Sequence, residues 1–231
     1  VSYFSVSFCT HSVLYYSIFE RRGEISYTKE MMKLSKWTRL GLGCFFGLIF
    51  IVFSYLVAKE VFLRFDFDMT VRLQDNVSTT FDSLFSFFSL IGSFEPVLVF
   101  LLVILVLQRK VRAVIVVGFF ALFHFVEIFG KVFVDHLPPP EFMLRTQRLM
   151  DFPQFHVRLE NSYPSGHAGR NAFVTVVLLF FILRCKKLPN WAKVAFLLCT
   201  IVFDVTMLVR RVYLGEHWTS DVIGGTLLGL S

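Results

Sequence analysis

The stretch GLGCFFGLIFIVFSYLVA, residues 41–58, runs for eighteen residues without a charged side chain. A helix of about 20 apolar residues crosses the hydrocarbon core of a bilayer. Such a helix bonds all its own backbone polar groups, which lipid cannot do for it. The stretch therefore reads as a transmembrane helix. Working outward, comparable apolar runs occupy residues 88–107, 112–134, 168–184 and 191–209, and a sixth begins near 219 and is cut short at Ser231. Pro96 either starts or kinks the second. The expected architecture is all-α: a polytopic membrane helix bundle of about six spans, the last truncated. No internal repeat interrupts it.

Composition agrees. Of 231 residues, 55% are hydrophobic and 30 are Phe, and the mean hydropathy is +0.66. A soluble domain of this length does not need so much apolar material, whereas a bilayer protein does. The net charge is +6, but the basic residues lie between the apolar runs rather than in one patch. That pattern is topological and not a nucleic-acid surface. The expected partner is the bilayer, with no nucleic acid. Cys9, Cys44, Cys185 and Cys199 have no paired metal spacing, and two fall within spans, so neither a disulfide framework nor a zinc site is expected.

Lys and Arg set the orientation. Arg21, Arg22, Lys29, Lys33, Lys36 and Arg39 precede the first span; Arg109, Lys110 and Arg112 separate the second from the third; Arg184, Lys186, Lys187 and Lys193 separate the fourth from the fifth. The positive-inside rule puts these three stretches in the cytoplasm. Residues 59–87, 135–167 and 210–218 then face the other side, of what is expected to be the plasma membrane. Residues 1–40 divide from the membrane domain 41–231. Met31-Met32-Lys33 resembles a membrane-protein start, so residues 1–30 read either as a non-native upstream extension or as a genuine, weakly amphipathic segment. The stretch FDFDMTVRLQDNVSTTFDSLFSFF, residues 65–88, is too polar at its start to span. It reads either as an interfacial amphipathic helix or as a plain connection.

Three clusters of reactive residues fall on the outer face. The first is Lys131 followed by Pro138-Pro139-Pro140; the second is Tyr163-Pro164-Ser165-Gly166-His167; the third runs from Arg211 through Glu216-His217 to Asp221. Pro-Ser-Gly-His at the start of a helix offers backbone N–H groups and a hydroxyl, which together form an anion site. Arg170, three residues after His167, shares that helix face. His217 and Asp221 are four apart, so on a helix turn the carboxylate reaches the imidazole and holds its tautomer. The other ring nitrogen is then exposed as a nucleophile. The Arg211 fork suits phosphate oxygens.

Pro-Ser-Gly-His with a downstream Arg-x5-His-x3-Asp resembles the type 2 phosphatidic acid phosphatase superfamily, over roughly residues 40–231. The resemblance implies a membrane enzyme that hydrolyses a lipid phosphate or polyprenyl diphosphate through a phosphohistidine, without metal or other cofactor. It implies that His217 attacks phosphorus, Asp221 orients it and His167 protonates the leaving oxygen, while Lys131, Ser165, Gly166 and Arg211 cradle the phosphate. The family's first motif is Lys-x6-Arg-Pro, and here Pro138 stands in place of the Arg. Phosphoryl transfer needs cationic charge around the equatorial oxygens, and Arg145, shortly downstream, is expected to fold back and supply it. The alternative is a lipid-phosphate binder that lost activity with that Arg. Arg210 replaces the family's usual Ser and is expected to snorkel or to meet lipid headgroups.

Other polar residues receive structural readings. Glu127 precedes Lys131 by four residues, in the favourable order for a helical ion pair. His124, Glu127 and Asp204 inside spans read as an interior polar network rather than a transport path, since transporters group such residues at the midplane. His11, His136 and His156 have no partner pattern and are expected to be solvated. Phosphatidic acid, phosphatidylglycerol phosphate and polyprenyl diphosphate all remain open as substrates.

Overall fold

A computed structural model describes residues 36–91, 97–103, 112–146, 161–185 and 187–231. Residues 1–35, with His11, 92–96, with Pro96, 104–111, with Arg109 and Lys110, 147–160, with His156, and 186 lie outside the described residues. Every regular element among the described residues is helical: α1 Lys36–Ala58, α2 Leu63–Asn76, α3 Asp82–Ile91, α4 Arg112–Phe133, α5 Gly166–Arg184, α6 Asn190–Tyr213 and α7 Thr219–Leu230. A further helical stretch covers 97–103.

Four helices are long and apolar enough to cross a membrane, at Trp37–Ala58, Val114–Phe133, Gly166–Arg184 and Asn190–Tyr213. Their outward faces carry bare apolar side chains, such as Ile51, Phe125 and Val202 at 65%, 67% and 66% exposure. Water would penalise so much exposed apolar area, whereas lipid does not. The chain is an integral membrane protein. The expected second span lies partly outside the described residues, and α7 has 12 residues. The fifth expected span extends four residues further than its apolar run, because α6 continues through Arg210 and Arg211 to Tyr213.

In the bundle α7 packs between α5 and α1. Small residues make the close approach possible: a Cβ on Gly225 would overlap the Ser165 carbonyl, and one on Gly229 the Gly169 carbonyl. This is the small-xxx-small packing by which membrane helices approach one another without help from water. It brings the N-termini of α5 and α7 together, and those two termini carry the second and third sequence clusters. A separate apolar cluster of Val97, Leu101, Phe120, Phe123 and Leu228 fills the bundle toward its other end. Across the top, Ser54 Oγ on α1 meets Tyr163 Oη at 2.8 Å.

The segment between the first two spans resolves into α2, and α2 does more than lie at an interface. Asp66 and Thr70 on it are buried, and Asp66 accepts from Ser220 N at 2.7 Å and Ser220 Oγ at 2.6 Å. Two acceptor contacts to the first turn of α7 dock α2 on the start of that helix.

Candidate active site

Asp221 anchors the site. It is fully buried and stands at the third position of α7, where a carboxylate can reach back to the unpaired N–H groups of the helix start. Its Oδ2 accepts from Trp218 N at 3.0 Å and lies 3.3 Å from His217 Nδ1. Capping and histidine orientation are thus carried by one oxygen. His217 Nδ1 faces the carboxylate, which leaves Nε2 as the outward nitrogen.

The turn 211–217 that delivers His217 is closed on itself. Glu216 N and His217 N both reach the Arg211 carbonyl, at 3.2 and 3.4 Å. Gly215 has φ +67°, and a Cβ there would overlap the Met143 carbonyl, so the turn requires glycine. Arg211 is buried and ion-paired with Glu216, and Glu216 accepts from Thr146 Oγ1 at 2.7 Å. Glu216 therefore aims the guanidinium, a role that no motif in the sequence signalled.

Ser165 stands at the N-cap position of α5 without a side-chain cap bond. Its backbone N donates to the Asp221 carbonyl at 2.9 Å, tying the two helix starts together. Its Oγ is buried without a hydrogen-bond partner among the described residues. Buried hydroxyls are ordinarily bonded, so this one is available to an anion at the helix N-terminus. His167, half-buried, has Nδ1 3.4 Å from Arg170 Nη2. The charges acting on it come from Arg211, Arg170, His217 and Arg210, which places the second and third sequence clusters in one electrostatic neighbourhood. Lys131 joins them. Its Nζ donates to the Ser162 carbonyl at 3.3 Å, and its charge acts on Asp221 and His217.

Several expectations need correction. Glu127 does not take Lys131 as its close ion-pair partner. Helix α4 packs against the start of α5, so Glu127 Oε2 meets Arg170 Nη1 at 3.2 Å and His124 Nδ1 at 3.0 Å. Gly166 is what admits the pair, since a Cβ there would overlap Glu127 Oε1. His124 and Glu127 do form an interior network, with Arg170 rather than Asp204. Arg210 neither snorkels nor reaches the lipid surface: it is fully buried and donates from Nη1 to the Phe85 carbonyl at 2.9 Å, pinning α3 to α6. Arg145 stands beside the site, but its guanidinium lies over the Tyr213 ring, 5.2 Å from the centroid, with Nη1 3.3 Å from the hydroxyl. His136 is not solvated. It is 6% exposed, with Nδ1 3.1 Å from Asp221 Oδ1 and Nε2 3.7 Å from Asp66 Oδ2. Its partners lie 70 and 85 residues away in the chain, so no local pattern announces them.

Two histidines outside the spans have displaced acidities. Burial pushes His217 down; the Asp221 contact pulls the other way, and the charges of Arg211 and Lys131 add to the lowering. The net direction favours the neutral, nucleophilic ring at neutral pH. For His136 burial also acts downward, but the contacts to Asp221 and Asp66 overcome it and raise the pKa to about 9.

Buried His217 with a carboxylate behind it, half-buried His167, and nearby arginine, lysine and helix N–H groups gather at one end of a membrane bundle. Residues 98–231 match the family model described as the PAP2 superfamily. The chain is 30% identical over 185 residues to an undecaprenyl-diphosphatase of Sulfolobus acidocaldarius, covering 79% of this chain and 82% of the relative. It is 41% identical over 71 residues to phosphatidylglycerophosphatase B of Bacillus subtilis, covering 30% of this chain and 34% of that one. The fold is similar to the crystal structure of a transmembrane PAP2-type phosphatidylglycerolphosphate phosphatase from Bacillus subtilis, with TM-score 0.67 and 19% identity over 82% of this chain and 90% of the other. The chain belongs to the PAP2 superfamily and is a membrane phosphatase.

Proposed function

We propose that this phosphatase hydrolyses a lipid phosphate or polyprenyl diphosphate through a phosphohistidine on His217, without a metal ion. The observation that carries this reading is His217 held by Asp221 at 3.3 Å, with the charges of Arg211 and Lys131 acting on His217 and those of Arg211 and His217 acting on His167. In the first step His217 Nε2 attacks phosphorus and the bond to the leaving oxygen breaks. His167, entering as imidazolium, gives that oxygen its proton. The negative charge of the bound phosphate favours this charged form of His167. In the second step His167 takes a proton from water, the oxygen attacks phosphorus, the P–N bond breaks and inorganic phosphate leaves. Asp221 accepts from Nδ1–H throughout and supports the positive charge that the ring carries in the intermediate.

Lys131, Ser165 Oγ, the N–H groups at Gly166 and Arg211 are the phosphate ligands in this reading, acting where charge builds on the equatorial oxygens. Arg145 can join them only by leaving Tyr213. The relatives' names favour a substrate with a polyprenyl or glycerophospholipid body, and the apolar flanks of the bundle suit lateral arrival from the bilayer. In this reading residues 41–231 are the enzyme domain, a bundle of about six spans in the plasma membrane, and the positive-inside rule favours an extracytoplasmic site.

The test is phosphate release by the purified protein from a panel of lipid phosphates and a polyprenyl diphosphate, with a chelator control and His217→Ala alongside. Release that survives chelation and disappears in His217→Ala is expected. Release abolished by chelation, or retained in His217→Ala, overturns the mechanism.

A further inference from the structure

We propose that His136 is a positioning residue: held between Asp66 and Asp221, its imidazole keeps Asp221 ionised and aimed at His217. This rests on the reading of His217 as the nucleophile with Asp221 behind it.

The geometry is a chain of contacts across three elements. Asp221 Oδ2 serves His217 Nδ1 and Trp218 N, while Asp221 Oδ1 lies 3.1 Å from His136 Nδ1. On the far side of the ring, Nε2 lies 3.7 Å from Asp66 Oδ2. Asp66 is in turn held by the backbone N and hydroxyl of Ser220, the residue before Asp221. Two carboxylates, from α2 and α7, thus flank one imidazole, and all three groups are buried. A cation between two buried carboxylates offsets their repulsion and favours the charged form of Asp221. Without it Asp221 is drawn toward its neutral form, which no longer stabilises positive charge on His217.

The backbone that carries the ring is also fixed. His136 N donates to Asn161 Oδ1 at 3.2 Å, and Ser162 N and Oγ donate to the His136 carbonyl at 2.9 and 3.0 Å. Ser162 Oγ lies 3.5 Å from Nδ1, the Tyr163 ring stands edge-on at 6.4 Å, and Trp218 Nε1 holds the Leu137 carbonyl at 2.7 Å. Among the described residues, the titratable or charged groups facing the imidazole are Asp66 from α2, Asp221 from α7 and Tyr163 from the segment before α5. The neighbouring Asp135 instead faces Asn161 Nδ2, at 3.5 Å. No proton leaves His136 during turnover in this scheme; its charge is static. It also brings a cation to the segment in which Pro138 stands where the family's motif has Arg.

A ring that carries its charge up to about pH 9 loses it on the alkaline side. Because the folded value is raised above 6.5, the contribution is complete below that value and disappears as the pH rises through about 9. Only part of the raised pKa of His136 reflects Asp221, and roughly a tenfold effect on turnover is expected from that part.

The experiment measures kcat, KM and the thermal midpoint of His136→Gln, Asp66→Asn and His217→Ala across pH, in the full chain in lipid nanodiscs. Expected are an inactive His217→Ala, a His136→Gln with unchanged KM, kcat lower by roughly tenfold and no step near pH 9 while the limb set by His167 as the acid remains, and an Asp66→Asn whose His136 step moves to lower pH. A purely structural His136 would lower the thermal midpoint and leave the pH profile of the folded fraction as in the wild type. His136→Gln with wild-type kcat and an unchanged step overturns the inference; should that variant not fold, an unmoved step in Asp66→Asn overturns it and a lowered step supports it. An inactive His217→Ala beside unmoved steps overturns the positioning role alone. An active His217→Ala overturns the phosphohistidine reading and this inference with it.

Discussion

Asp221→Asn is the substitution that isolates the electrostatic part of the site, because it changes almost no volume. The carboxylate makes three contacts: Oδ2 with Trp218 N at 3.0 Å and His217 Nδ1 at 3.3 Å, and Oδ1 with His136 Nδ1 at 3.1 Å. Asparagine supplies one acceptor and one NH2 group. With the NH2 toward His217, Nδ1 must become an acceptor, and the proton moves to Nε2, the nitrogen that should attack phosphorus. With the NH2 toward His136, that ring can no longer be protonated at Nδ1, and the uncharged amide gives little support to a positive His217. Either placement removes transition-state stabilisation and leaves the phosphate ligands in place. In Ser-His-Asp hydrolases the same exchange lowers kcat about 10⁴-fold, or about 5 kcal/mol. Here the histidine is itself the nucleophile, and the expected loss in kcat is about 10²- to 10⁴-fold with KM nearly unchanged. Rapid acid or base quenching of a turnover with ³²P-labelled lipid phosphate measures it directly. Wild type should show a burst of acid-labile, base-stable phosphoenzyme, and Asp221→Asn should show none. A variant that keeps its burst and a kcat close to wild type would refute the reasoning.

Two further substitutions probe the surroundings. Gly166→Ala places a methyl group on Glu127 and Arg170; a destabilisation of about 1–3 kcal/mol, the usual range for overpacking, should appear in the thermal midpoint together with lost turnover, and an undisturbed midpoint would mean that α4 and α5 separate easily. Arg145→Ala should leave turnover within about threefold of wild type, because its guanidinium is engaged by Tyr213, whereas a loss of the order of 10²-fold, as for a removed oxyanion donor, would show that Arg145 swings onto the phosphate in place of the absent motif Arg.

The apolar runs were legible in the sequence because crossing lipid is a local requirement. A segment either has enough apolar residues in a row or it does not, and α1, α4, α5 and α6 fall close to where hydropathy puts them. His217 and Asp221 were legible for a similar reason, since four residues on one helix turn define their contact. The Pro-Ser-Gly-His run was legible as a helix start with an anion site. What joins these pieces is not local. Glu127 seemed matched to Lys131 by helical spacing, yet Arg170 on another helix takes it, because α4 meets α5 where Gly166 leaves room.

Sequence by itself determined that this chain is a bundle of membrane helices with a phosphate-handling motif set, since both properties are written in residue type and short-range spacing. Tertiary structure alone decided which groups stand behind the motif. Burial cannot be read from His136 or Asp66 in their own segments, one of which looked like a plain connection. Only the docking of α2 on α7 brings Asp66 to Ser220 and leaves the His136 ring between two carboxylates. A buried charge is tolerated only beside its partner, and where that partner comes from distant sequence, the fold must form before the pairing exists.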